Sequence, residues 1–406
     1  MRKIIFLFIM VIISFYSYGS EIEVWCGWEG NEKEGLLGAV SKYEKITGNK
    51  IKMKMIPFSA INSRYIGYTT IGKGPDIIIG PSDWIGQFVT ENLIEPLDNY
   101  MSKSEKKEFI ESVIDGCYYD KKLYGVPESY KVTALIYNRE LIKKPPKNTK
   151  ELIEIGKKFT NIDENKYGLV YKTGYYENYA WIGGFGGTAL DKNNNPDYMN
   201  KGCIRAMNFI KKLNVGKDKI MPGDMDTGMA MTLFEEKLTP MIFGGSWIVA
   251  ELMNKNINFG VVKMPFITET GKWPKPFVGA EIAMMSSKSK DKKAAYEFIK
   301  YFTSEETQIE NIKIGHLPSR KRVYENETVK KNRIYEYIIA FKSQAEVGEA
   351  FPMAPEMAIA IWPYASMTIK RIINEEMSIE TALKYAQSKS EKDVKKFRES
   401  LKKQSR

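Results

Sequence analysis

Two rhythms of apolar residues alternate along this chain. Ile22 to Cys26 is an apolar run of strand length, and from about Glu32 to Ile46 the apolar positions return at helical spacing until Thr47-Gly48 ends them. Lys50 to Ile56 reads as a second strand and Ile61 to Ile71 as a helix. Asp76-Ile77-Ile78-Ile79 is a third strand, apolar enough to be covered on both faces. Pro81-Ser82-Asp83 then makes a turn with an N-cap type start for another helix. This alternation predicts a parallel sheet with right-handed crossovers. A second series starts at Val132 to Tyr137 and continues through strands at Gly168 to Tyr171, Thr239 to Phe243, Phe259 to Val262 and Phe277 to Met285. Further helices are expected near Gly202 to Leu213, Lys331 to Gln344 and Ala354 to Asn374. The fold class implied is α/β in two lobes, and 406 residues suffice for two such cores.

The N-terminus follows neither rhythm. Arg2 and Lys3 precede the unbroken apolar run Ile4 to Ile13, which falls short of the about 20 residues that a membrane-spanning helix needs. It suits the apolar core of a secretory signal peptide over residues 1–19, with Ser17 and Gly19 as the small residues before cleavage at Ser20. The alternative is a buried N-terminal core helix. No cysteine stands at the cleavage point, because Cys26 comes later. The mature chain is therefore expected to be exported, periplasmic, soluble and not a lipoprotein.

Composition narrows the function. Hydrophobic residues make up 43% and charged residues 27%, an ordinary globular balance. The formal net charge is +11, and the tail from Ser388 to Arg406 holds eight basic residues against three acidic ones. Val394, Phe397 and Leu401 share one helical face in that tail, so a solvated terminal helix is favoured over a nucleic-acid-binding arm. One histidine and three cysteines exclude most zinc sites and leave little room for a histidine-based triad. Cys26, Cys117 and Cys203 form no C-x-x-C pair, and three buried thiols are favoured over one disulfide plus a free thiol.

Several motifs are superficial. Gly244-Gly245-Ser246-Trp247-Ile248 lacks the second flanking glycine of a nucleophile elbow, and the sole base would be the distant His316. Gly184-Phe185-Gly186-Gly187-Thr188-Ala189 does not lie between a strand and a helix start, so it reads as a turn rather than a dinucleotide site. Asp191 to Asp197 resembles the front of a calcium loop, but Pro196 and Gly202 stand where glycine and glutamate are needed. No enzyme, cofactor or metal is expected.

The tryptophans are more informative. Trp25 lies within the first strand and Trp273 in a Pro-flanked loop, while Trp28, Trp84, Trp181, Trp247 and Trp362 are placed at strand ends, loops or helix starts. Trp28 and Trp84 lie past the carboxyl ends of their strands, where open α/β sheets bind ligands. Glu29 and Asp83 adjoin them, and Tyr175, Tyr176 and Tyr179 precede Trp181. Flat aromatic faces suit the C–H faces of sugar rings, and carboxylates accept hydrogen bonds from paired hydroxyls.

These residues sit within longer matching pieces: Gly74-Pro75-Asp76-Ile77-Ile78 with Asp83-Trp84, and Tyr124-Gly125-Val126-Pro127 leading into Ala134-Leu135-Ile136-Tyr137-Asn138. Phe234 with Pro240-Met241-Ile242 runs on to Ser246-Trp247, followed by Lys275-Pro276-Phe277-Val278-Gly279 and by Pro355-Glu356-Met357 with Trp362. Over most of its length the chain resembles the bacterial maltose- and maltodextrin-binding proteins of ABC sugar importers. That resemblance implies a two-lobed periplasmic binding protein fold with three hinge crossings and a ligand cleft between the lobes. Residues 20–129 and 280–322 would form one lobe, 130–279 and 323–387 the other, and 388–406 a charged tail. It implies oligosaccharide capture by hinge closure, with an ABC permease and its ATPase subunits as partners, no nucleic acid, and a monomeric state. Carried over by position, Glu29 and Asp83 look like sugar-binding carboxylates, Trp247 and Trp362 like stacking platforms, and Tyr176 to Tyr179 like a third wall. Trp28, Trp84, Lys131, Glu177 and Glu281 complete the candidate set.

There are departures from the family pattern. Lys131 stands where maltose binders usually have glutamate, and Tyr176-Glu177 replaces a glutamate-proline pair. Gly80 replaces a tryptophan, and Trp362 falls one residue late relative to Pro355. Lys131 either faces the cleft and favours a ligand with an acceptor or negative group, or swings to solvent or pairs with a nearby acid such as Glu177. A secreted glycosidase and a same-fold binder of another solute, an anionic one included, are the rival readings.

Overall fold

In the computed structural model residues 19–404 are described. The expected leader, but for Gly19, and the last two residues of the tail lie outside them. Strands β1 (Glu21–Cys26), β2 (Lys50–Met55) and β3 (Ile77–Pro81) are parallel, with β1 in the middle, and helices α1 (Gly30–Thr47) and α2 (Phe58–Thr70) cross between them. α1 stops where Gly48 takes φ 75° and returns its N–H to the Glu44 carbonyl, a conformation that costs glycine nothing. Ile77, Ile78 and Ile79 are buried on both faces, as their sequence demands.

The chain adds β4 (Val126–Lys131), β5 (Thr133–Asn138), β6 (Met241–Gly245), β7 (Phe259–Val262), β8 (Phe277–Met285), β9 (Leu317–Pro318) and β10 (Glu349–Ala350). The first sheet runs β9-β4-β8-β3-β1-β2, in which β8 is antiparallel to both β3 and β4. The second sheet is β6-β5-β7, antiparallel throughout. Its alternation separates two layers: Ala134, Ile136, Ile242 and Phe259 face one core, while Leu135, Met241 and Phe243 face the other. The strand expected at Gly168 to Tyr171 is reduced to a single bridge from Val170 to Ile242. The chain passes between sheets at Val132, and β8 pairs with β10 at Phe277–Val278 before joining β4 and β3.

Four further helices matter for the site: α3 (Ile85–Thr90), α4 (Tyr175–Gly184), α5 (Lys201–Asn214) and α6 (Tyr335–Ala345). Ser82 does not cap the helix expected after it. A single 3₁₀ turn, Ser82–Trp84, leads into α3, and the Ser82 hydroxyl accepts the Ala280 N–H of β8 instead. Trp181 lies not in a loop but inside α4, fully buried against Phe209 and Phe243. The helix expected over Ala354 to Asn374 is a wide π-turn, Met357–Ile361, followed by α7 (Trp362–Ile373). The tail belongs to α8 (Ile379–Gln404), with Ser390 and Val394 buried, so one face is packed rather than solvated. All three cysteines are buried free thiols. Among the described residues no helix is long and apolar enough to cross a membrane.

Candidate functional site

Beyond the carboxyl ends of β1 and β3 the chain must turn, and open α/β sheets bind ligands at such ends. Trp28, just past β1, is buried edge-on to His316, and its indole N–H donates to Glu281 Oε2 at 3.1 Å. Glu281 on β8 also faces Lys131 at the end of β4, 3.5 Å away, and Lys131 Nζ lies 3.0 Å from Glu32 in the first turn of α1. Glu32 in turn bonds His316 Nε2 at 3.1 Å, while His316 Nδ1 meets Glu128 Oε2 at 2.8 Å. Asn311 donates to Glu128 as well. The result is one chain of alternating charge, Glu128–His316–Glu32–Lys131–Glu281, buried at Glu128, His316 and Glu281, half-buried at Glu32 and Lys131, and closed by Trp28.

The protonation of each member follows from its neighbours. Burial opposes ionisation of Glu32, yet Lys131 and His316 hold it down to about 2. Burial alone would lower His316, but Glu128 and Glu32 push it up to about 9. Burial likewise works against the Lys131 ammonium, and Glu281 and Glu32 more than offset it. Glu281 is raised, because burial outweighs the pull of Lys131. Lys131 therefore pairs with Glu32 and Glu281 rather than Glu177. Of the alternatives, pairing with a nearby acid is the one observed, with Glu32 and Glu281 as the acids. Glu32, Glu128 and His316 were not anticipated as site residues. Acidic residues in a first helical turn are a weak sequence signal for Glu32.

Asp83 is buried, and burial pushes it up to about 6 despite a hydrogen bond from Trp362. That bond, Trp362 Nε1 to Asp83 Oδ2 at 2.8 Å, ties the turn after β3 to the start of α7. Trp84 packs between Phe58 and Phe88 with its ring lying over Gly80, where a Cβ would come within 2.3 Å of it. Trp247 is half-buried, with Lys131 Nζ 5.7 Å from its ring centre and Tyr176 at 6.2 Å. Tyr176 stacks on Phe351, and its hydroxyl is buried without a partner. Glu177 is buried and raised by burial, with Oε2 also unpartnered, beside a cavity of about 20 Å³ shared with Trp247, Lys172 and Thr227. Tyr179 is wholly buried in the second lobe, stacked on Phe277 and bonded to Glu349. Glu29 is exposed, and its side chain makes no hydrogen bond or ion pair among the described residues. The structure thus brings together Trp28, Asp83, Lys131, Tyr176, Glu177, Trp247, Glu281 and Trp362, and leaves Glu29 and Tyr179 apart from them.

A Cβ on Gly86 of α3 would sit 2.0 Å from the Met353 carbonyl, just before the π-turn. Gly86 is helical, so alanine there carries no backbone strain. Gly86→Ala is expected to prop these two segments apart and hold the cleft open. A larger radius of gyration at ligand saturation, by small-angle X-ray scattering, checks this; identical closed dimensions in variant and wild type would refute it.

Aromatic faces with buried carboxylates near them have the chemistry that suits a ligand of many hydroxyls. Comparison with known proteins agrees. Residues 38–336 match the family model described as bacterial extracellular solute-binding protein. The chain is 29% identical over 398 residues to the galactooligosaccharide-binding protein of Bacillus subtilis (strain 168), covering 93% of this chain and 90% of that one. It is 27% identical over 330 residues to the maltotriose-binding protein of Pyrococcus abyssi (strain GE5 / Orsay), covering 80% and 71%. The solved maltose/maltodextrin-binding domain MalE from Bdellovibrio bacteriovorus, bound to maltotriose, superposes with a TM-score of 0.84 at 28% identity, over 92% of this chain and all of that one.

Proposed function

The chain belongs to the bacterial extracellular solute-binding protein family, and on that footing we propose that it is the receptor of an ABC sugar importer. It captures maltose, maltodextrin or a related oligosaccharide by hinge closure and delivers it to a membrane permease worked by ATPase subunits. It acts as an exported, soluble monomer and needs no cofactor. The observation that carries this reading is the pair of orphaned polar atoms, Tyr176 Oη and Glu177 Oε2, buried beside the Trp247 ring. A buried polar atom without a partner costs about 1–3 kcal/mol. A sugar hydroxyl, both donor and acceptor, can satisfy either a phenol or a carboxylate while its ring stacks on the indole. A galactooligosaccharide is the second reading, favoured by the relative of that name matched over most of the chain.

The test is a thermal-shift and tryptophan-fluorescence screen against maltodextrins, galactooligosaccharides and sugar phosphates. A neutral oligosaccharide at 100 times its Kd is expected to add about 2.7 kcal/mol of stability. Trp247→Ala should weaken that binding by about 1–3 kcal/mol with cooperative unfolding retained. Preference for a sugar phosphate, or release of shortened products, would overturn the proposal.

A further inference from the structure

Pro363 follows Trp362 within what is otherwise one continuous helical segment, and proline offers no N–H and crowds the carbonyl four residues back. The helix meets this by widening: the Trp362 N–H donates to the Met357 carbonyl, a five-residue span. Successive residues of an α-helix point about 100° apart, so the register of the wide turn sets which way the indole faces. That indole reaches Asp83 in the turn after β3.

The wide turn is held from outside. The Tyr198 hydroxyl donates to the Ala360 and Ile361 carbonyls at 3.3 and 3.2 Å, and the fully buried Ser390 hydroxyl of α8 also donates to Ala360. Before the turn, Arg398 of α8 donates through Nε and Nη2 to Glu356 at 3.1 and 2.9 Å. The same guanidinium holds Asn195 Oδ1 and the Asn193 and Asn194 carbonyls, in the loop of Asp191 to Asp197. After the turn, the Tyr364 hydroxyl donates to Asp393 of α8. Ser390, Asp393 and Arg398 therefore grip the chain on both sides of Trp362.

We propose that α8 is a positioning clamp for Trp362, in which Ser390 and Arg398, with Tyr198, fix the π-turn that presents its indole across the cleft. Its consequence for affinity rests on the reading of Trp362 as a ligand contact. The basic tail supplies this clamp through one face, and its other lysines remain solvated.

The test compares wild type, Ser390→Ala, Arg398→Ala and Tyr198→Phe by NMR of the tryptophan indole N–H groups, with the Trp362 resonance assigned from Trp362→Phe. In the ligand-free protein, each of the three variants is expected to shift or broaden the Trp362 resonance while the other tryptophans stay in place. The Kd for maltotriose is expected to rise at least five-fold. Arg398→Lys, which keeps the charge but loses the fork, should give an intermediate shift. An unmoved Trp362 resonance in all three variants, or a shift of every indole together, overturns the clamp. If Trp362→Phe binds every sugar as wild type does, the ligand reading of Trp362 fails, and the indole resonances still decide the clamp.

Discussion

Lys131→Glu is expected to disable the protein rather than re-tune its ligand preference. The ammonium sits 3.0 Å from Glu32 and 3.5 Å from Glu281, and Glu128 lies one histidine further along. A fourth carboxylate would leave one imidazolium to offset them all. Removing one partner of a buried ion pair typically costs about 3–5 kcal/mol, because the remaining charge keeps its burial and loses its counter-charge. Lys131 and Glu32 stay half-buried, so Lys131→Met should lose at most about that much stability in urea unfolding, and Lys131→Glu more. Most of the loss should return in Lys131→Met combined with Glu281→Gln, where the orphaned charge is also gone. A Lys131→Glu protein as stable as wild type would show that the network does not depend on the ammonium.

The parts of the fold that the sequence made legible are those whose reasons are local. β1, α1, β2 and β3 follow from apolar period and a single glycine, and β8 is legible to the residue because Phe277 to Met285 runs between Pro276 and Ser286. What could not be read depends on contacts far apart in sequence. Glu32 and His316 are 284 residues apart, and nothing near either announces the other. Trp181 looks like a loop residue beside its glycines, yet α5 and the second sheet enclose it. The tail looked solvated because its charges outnumber its apolar residues, but Ser390 and Arg398 are polar side chains recruited to satisfy a π-turn. Of the candidate site, aromatic and acidic residues at strand ends were recoverable by position. The departures were not: Lys131 depends for its meaning on Glu32 and Glu281, and Glu29 is outranked by the acid one helical turn later.

A second large effect should appear with pH at Asp83. Burial pushes its carboxyl from an ordinary 3.8 up to about 6, and the Trp362 hydrogen bond only partly offsets that. A raised acid means that the folded, closed state binds a proton which the unfolded chain has released. The stabilisation linked to that proton is complete below pH 4, falls as pH rises through 6, and is gone above it. About two pH units correspond to an order of 3 kcal/mol. Glu32 and His316 titrate elsewhere and are common to both proteins in a comparison of wild type with Asp83→Asn, so they cancel in the difference. Wild-type stability minus that of the variant is expected to fall by about 3 kcal/mol between pH 4 and 7 in denaturant titrations. A sugar hydroxyl donating to Asp83 favours its ionised form. Binding near pH 5 should therefore release a proton, seen as a buffer-dependent enthalpy in calorimetry and missing in Asp83→Asn. Parallel stability curves for the two proteins would mean that the carboxylate stays charged in the closed cleft, held by something other than the Trp362 indole.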